Sequence, residues 1–261
     1  MGYEFIEIMP EVTLIKDNGT NIYLVEGRDR ALVIDSGYGM LNLREAIQER
    51  TDKPLLNVLT HGHIDHAFGA HYFDKVYINK EEVPVYEEHY MFKKYQAYEA
   101  ASGLSAKEFV EWQTAKVEDF EYISPGKLFD LGDNELEVIS LKGHTPGSIG
   151  ILDRKHRILF SGDAVINHIW MQLPHSSSIE EYQKTLNSLD CYLGDFDDIC
   201  NGHSQQPLPV SFIGNMKLTL GELLKGAVGT TYTTQIPGAD GMIFRFNGCE
   251  VVYNQNKIRN E

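Results

Sequence analysis

Apolar and polar positions along the chain change period several times, and each change marks an element. Short β-branched or apolar runs at 12–16, 21–26 and 31–35 are separated by Asp17-Asn18-Gly19 and Gly27-Arg28-Asp29, a strand-and-turn signature. Leu43, Ala46 and Ile47 fall at helical spacing, which predicts a helix over 40–50 ended by Thr51-Asp52-Lys53-Pro54. The apolar run 55–59 predicts a buried strand, followed by a helix from about 66 to 73 and a short strand at 76–79.

From 81 to about 120 strand signals vanish. Glu, Lys, Tyr, Phe and Ala dominate, which suits two amphipathic helices separated near Ser102-Gly103, with Tyr86, Tyr90, Phe92, Tyr95 and Tyr98 as an apolar face. That face is expected either to pack on the body of the protein or to lie over a site. Strands resume at 127–131, 135–141, 148–153 and 157–161. Ser176-Ser177-Ser178 is an N-cap cluster for a helix over 179–193. A strand at 198–201, a helix at 212–224 and a hairpin over 242–253 around Asn247-Gly248 complete the pattern. Two series of strands followed by helices, without regular βαβ alternation, predict a layered α/β sandwich.

Composition narrows the class. At 261 residues, with 42% apolar and 23% charged residues, the chain suits one globular domain over 1–261 with a helical insertion at about 81–125. The 23 basic residues against 38 acidic ones leave a net charge of −15, which argues against a nucleic-acid partner. No apolar run approaches a membrane span and the start lacks a secretory pattern, so a cytoplasmic protein without a membrane partner is expected. Cys191, Cys200 and Cys249 are odd in number and widely spaced, unlike a disulfide framework.

The densest chemistry lies in Thr60-His61-Gly62-His63-Ile64-Asp65-His66, directly after the 55–59 strand. Three imidazoles and a carboxylate form a donor set suited to borderline-soft divalent ions, zinc above all. Three other predicted strands end in a glycine followed by a potential ligand: Gly143-His144, Gly162-Asp163 and Gly202-His203. Glycine lets the backbone turn sharply there and approach an ion without a Cβ clash.

This series, with Val33-Ile34-Asp35-Ser36-Gly37, resembles the metallo-β-lactamase fold superfamily over roughly residues 12–205. The resemblance implies an αββα sandwich holding two divalent metal ions, Zn2+ in preference. It implies that His61, His63 and His144 bind one ion, that Asp65, His66 and His203 bind the other, and that Asp163 bridges them. Asp35 is then a supporting carboxylate. The implied reaction is hydrolysis of a small ester, lactone or thioester by a metal-bridging hydroxide, with Asp65 orienting the nucleophile. Glyoxalase II and lactonase branches fit the length and the insertion without being separated by them.

Phosphodiester hydrolysis with the same metals, and di-iron or iron redox chemistry, are the alternatives. Flavodiiron members carry a glutamate where this chain has His63, which favours zinc here. The best-known zinc β-lactamases carry a cysteine at the place of Asp163, so lactam hydrolysis is not implied. His168 and His175 follow Asp163, and His168 is the candidate acid for the leaving group. The expected partner is a small-molecule substrate; the oligomeric state stays open, a homodimer included.

Overall fold

The computed structural model of the protein describes residues 2–100, 104–236 and 238–260, the side chains of 92–100 excepted. The expected break at Ser102-Gly103 and the side chains of Phe92, Tyr95 and Tyr98 therefore lie outside the described residues. The chain divides into two compact units, residues 1–137 and 138–261.

The first unit is built on a seven-stranded sheet in chain order: β1 (Glu4–Met9), β2 (Val12–Asp17), β3 (Thr20–Glu26), β4 (Ala31–Ile34), β5 (Leu55–Val58), β6 (Val76–Asn79) and β7 (Glu121–Ile123). The first four strands pair antiparallel. Asn18 and Gly19 adopt positive φ (49° and 92°), the conformation a tight two-residue hairpin requires. From β4 onward pairing is parallel. Every residue of β4 is buried, as expected of a continuous apolar run covered on both faces.

The predicted helix over 40–50 forms only as α1 (Leu43–Gln48), because the Asn42 side chain caps it by accepting from the Glu45 N–H. The expected helix over 66–73 is instead α2 (Ile64–Ala67) and a single 3-10 turn at Ala70–Tyr72. The helix ends where the Phe68 and Gly69 N–H groups both donate to the Gly37 carbonyl at 3.1 Å instead of continuing the helical pattern, and a Cβ on Gly69 would lie 2.0 Å from the Ser36 carbonyl oxygen. The 81–120 segment folds as α3 (Val83–Ala100) and α4 (Ala106–Thr114), the latter opened by a Ser105/Glu108 capping box. The chain re-enters the sheet at β7, so the helical insertion is shorter than the 81–125 expected. Of its aromatic face, Tyr86 is buried, stacks on Phe68 at 5.1 Å and meets Phe120 edge-on. β8 (Leu128–Asp130) and β9 (Glu135–Ser140) then form a hairpin, and β9 runs through the division between the units.

In the second unit β9 continues a sheet ordered β14-β13-β11-β10-β9, with β10 (Ile149–Asp153), β11 (Ile158–Gly162), β13 (Asp198–Asn201) and β14 (Leu208–Pro209). A third sheet runs β12-β17-β16-β15, from β12 (His168–Met171), β15 (Thr230–Tyr232), β16 (Gly241–Phe246) and β17 (Cys249–Tyr253). β12 carried no expectation, because 168–171 was read only for the chemistry of His168. The 242–253 hairpin is present, turning at Asn247 and Gly248 with φ of 46° and 77°. α5 (Ile179–Ser188) starts at its Ser178 cap but stops short of 193, passing into a 3-10 turn. α6 spans Phe212–Leu224 as expected. Tyr182 and Leu186 of α5 pack with Ile213, Met216 and Leu220 of α6 in one core, each fully buried aliphatic side chain contributing roughly 2 kcal/mol.

Candidate metal centre

Parallel β4 and β5 end side by side, and their carboxyl ends are pinned by side chains. Asn57 on β5 donates to the Val33 and Asp35 carbonyls at 3.1 and 3.0 Å. Asp35 holds φ +64°, a strained value for a non-glycine residue, and uses its buried carboxylate as a hub. It accepts from the Thr60 N–H at 2.7 Å and the Thr60 hydroxyl at 2.8 Å, and lies 2.8 Å from His66 Nδ1. That bond directs the imidazole proton to Nδ1 and turns the Nε2 lone pair outward, the arrangement a metal-ligating histidine needs.

The other members of the loop gather on the same end. His61 Nε2 and His63 Nδ1 lie 3.1 Å apart, and His61 Nδ1 lies 3.1 Å from the Thr60 hydroxyl. Asp65 Oδ2 accepts from the Thr20 hydroxyl at 3.3 Å and lies 3.5 Å from His66 Nε2. His61, His63 and His66 are all buried, and Asp65 is partly exposed. Burial pushes the nearby Asp17 carboxyl above its ordinary range, against the lowering effect of the Tyr38 N–H it accepts, and the Asp65 charge adds to the rise.

Two supports had no sequence signal. Glu82, fully buried at the start of the insertion, accepts from the Gly62 N–H at 2.7 Å. His89 on α3 accepts from the Ile64 N–H at 3.2 Å and stacks on His63 at 4.5 Å. Both are some twenty residues or more from the loop, and no spacing rule links them to it.

In the second unit the remaining expected ligands converge on one carboxylate. Asp163 Oδ2 lies 3.1 Å from His203 Nε2 and 3.8 Å from His144 Nε2. Asp163 follows Gly162, which turns with φ +50°; the β11–β13 pairing shifts by one residue between Phe160 and Gly162, and the Gly202 N–H donates to the Gly162 carbonyl. His203 is oriented by its own N–H, which bonds the Asn201 side chain at 3.1 Å. His144 donates from Nδ1 to the Trp170 carbonyl at 2.7 Å, and Ser176 donates to the His144 carbonyl. Gly143 is required for close packing: a Cβ there would sit 2.3 Å from Tyr182 Cδ2.

His168 stands in a different set. Its Nδ1 is 2.6 Å from a Glu250 carboxylate oxygen and its Nε2 is 3.2 Å from the Tyr232 hydroxyl. Arg245 bonds the other Glu250 oxygen at 2.7 Å, and Arg245 with His168 lowers the Glu250 pKa. Trp170, two residues on along β12, meets Tyr232 edge-on at 6.2 Å. His175 is half-buried in the turn before α5. Cys200 and Cys249 are buried and Cys191 exposed, all as free thiols.

Histidines and carboxylates placed at strand ends in this order match a known family. The family model described as the metallo-beta-lactamase superfamily matches residues 15–195. The chain belongs to that superfamily. It is 32% identical over 184 residues to the acyl-coenzyme A thioesterase MBLAC2 of Gallus gallus, covering 63% of this chain and 64% of that protein. The Homo sapiens counterpart is 30% identical, covering 66% of this chain and 67% of its own length. The match thus spans about two thirds of these relatives. The hydroxyacylglutathione hydrolase GloC of Haemophilus influenzae is 27% identical, covering 61% of this chain and 71% of that protein. Among solved structures, a metallo-beta-lactamase from Pontibacter korlensis superposes with a TM-score of 0.61 at 17% identity, over 87% of this chain and all of that one. This likeness shows the fold, the α/β architecture of metallo-β-lactamases. Among the described residues no helix is long and apolar enough to cross a membrane.

Proposed function

We propose that the protein is a metal-dependent hydrolase of small acyl thioesters, acting as one catalytic module over residues 1–261. His61, His63 and His144 would hold one divalent ion, Asp65, His66 and His203 a second, and Asp163 would lie between them. The observation that supports this most is the donor arrangement inside each unit. Two buried histidine nitrogens approach to 3.1 Å in the first, and two histidines face one Asp163 oxygen in the second. The donors are mostly imidazole, with two carboxylates and no thiolate, a set that fits zinc. Thioesters are favoured because relatives are named an acyl-coenzyme A thioesterase and a hydroxyacylglutathione hydrolase.

Two zinc ions in such a site supply a nucleophile at neutral pH and an electrophile for the carbonyl oxygen. The protein's own part is orientation. Asp65, steadied by Thr20, would align the attacking water through its carboxylate. Asp35 keeps the His66 proton on Nδ1, so His66 stays a donor through Nε2. His168 would assist departure of the thiolate with Tyr232, the ring held in place by Glu250.

Metal analysis of the purified chain, followed by kcat/KM on acyl-coenzyme A, lactoylglutathione, an acyl lactone and bis-p-nitrophenyl phosphate, tests the proposal. Two zinc ions per chain and the highest kcat/KM on a thioester are expected. A preference for the phosphodiester, or iron with visible absorption, would overturn it.

A further inference from the structure

The 3-10 turn at Lys80–Glu82 and helix α3 directly after it lie against the histidine loop, and the Glu82 and His89 side chains bond the loop backbone. Glu82, Tyr86 and His89 are spaced four and three residues apart, the interval that aligns side chains on one helical stripe. The buried Glu82 carboxylate takes the Gly62 N–H at 2.7 Å. Gly62 itself leaves no room: a Cβ would lie 2.7 Å from both the Glu82 carbonyl oxygen and the Tyr86 nitrogen. The loop backbone therefore lies against the helix backbone at this point. Next, His89 accepts from the Ile64 N–H and stacks its ring on His63. Finally Tyr86 stacks on Phe68 beyond the loop, while its hydroxyl accepts from the Val117 N–H at 2.9 Å.

These contacts fall on a particular pair of donors. Gly62 separates His61 from His63, and His89 covers the His63 ring. Asp35, by contrast, orients His66 from the β4 side. The loop is thus held from two directions, the strand ends steering His66 and the helix steering His61 and His63.

We propose that α3 is a clasp on the ligand loop, so that metal binding by His61 and His63 and docking of the first turns of α3 form one coupled equilibrium. The proposal rests on the metal-centre reading above. Glu82 and His89 are then positioning residues, which fix the backbone and ring that present the donors. Coupling of this kind is reciprocal, so whatever docked α3 adds to metal affinity, bound metal adds to α3 docking. The insertion then serves the metal centre as well as any substrate above it.

The test uses the full-length chain with zinc as the only ligand. Zinc affinity is measured by competition with a chromophoric chelator in the wild type, Glu82→Ala, Glu82→Gln and His89→Phe. Amide hydrogen exchange over Val83–Tyr90 is followed with and without zinc. Glu82→Ala and His89→Phe should weaken one zinc by roughly 10- to 100-fold, the range found when partners that orient metal ligands are removed. Glu82→Gln, which keeps an acceptor for the Gly62 N–H, should stay close to wild type. Zinc should slow exchange in the first turns of wild-type α3, and this slowing should shrink in Glu82→Ala. Wild-type affinity in Glu82→Ala and His89→Phe would overturn the clasp. So would α3 exchange that ignores zinc in the wild type, a measurement that needs no variant to fold. A wild-type chain that binds no zinc would overturn the metal-centre reading itself, and the coupling with it.

Discussion

His66 Nδ1 lies 2.8 Å from an Asp35 carboxylate oxygen, with the imidazole side chain fully buried and the carboxylate 3% exposed. The same carboxylate holds the Thr60 N–H and hydroxyl, so one residue at the end of β4 organises the start and the end of the ligand loop. Replacing Asp35 with alanine strands three buried donors and should cost about 3 kcal/mol in urea unfolding. Metal affinity should fall as well, and a variant with wild-type stability and metal content would contradict this role.

Gly143 precedes His144 and abuts the Tyr182 ring. Gly143→Ala must push either the ring or the loop, at a cost of about 2 kcal/mol. Because the displaced loop carries His144, metal content should drop along with thermal stability. Comparison with Gly194→Ala, where a Cβ meets nothing within 4 Å, separates this packing effect from a general loss of glycine.

Alkaline stability should depend on Tyr182. Its hydroxyl donates to the Ala164 carbonyl at 2.5 Å, and burial raises its pKa far above 10.0. The unfolded chain ionises this phenol near pH 10, whereas the folded chain keeps it protonated. Its contribution is therefore fully present below pH 10 and is lost as pH rises beyond that toward the folded value. Tyr182→Phe should cost about 1 kcal/mol at pH 8 yet lose less stability between pH 9.5 and 11. Tyr3, Tyr72 and Tyr86, also raised by burial, contribute to the slope that remains. Equal slopes in denaturant melts of the two proteins would refute it.

Withdrawing metal should lower the melting temperature reversibly. An ion bound at a thousand times its dissociation constant stabilises the folded state by about 4 kcal/mol. Chelator treatment followed by zinc addition, monitored by calorimetry, should remove and restore that increment. Asp163→Ala should bind fewer ions and respond less.

His168→Ala should reduce kcat at least tenfold on a thioester with metal content unchanged. Tyr232→Phe should act in the same direction, since the two side chains share a hydrogen bond. Unaltered kcat in both variants would remove them from the reaction.

The glycine-led turns that carry His144, Asp163 and His203, and most strands of the second unit, were legible because their signals are local. An apolar run followed by Gly and His or Asp is contained in a few residues, as at Ile158–Gly162 and Asp163. The Asn247-Gly248 hairpin and the Ser178 cap are local for the same reason. Helix ends were less legible. The helix begun at Ile64 stops because the Phe68 and Gly69 N–H groups turn to the Gly37 carbonyl, an acceptor far away in sequence.

By itself, then, the order of residues determined the superfamily and the α/β class, and it marked the histidines and carboxylates proposed as ligands, since backbone turns and donor chemistry follow from short-range spacing. Only the tertiary structure decided what holds those donors: Asp35 on His66, the Trp170 carbonyl on His144, and Glu82 with His89 on the His61–His63 segment. Such contacts join residues twenty or more apart and depend on how strands and helices pack. A hydrogen bond across that separation leaves no periodicity in the chain.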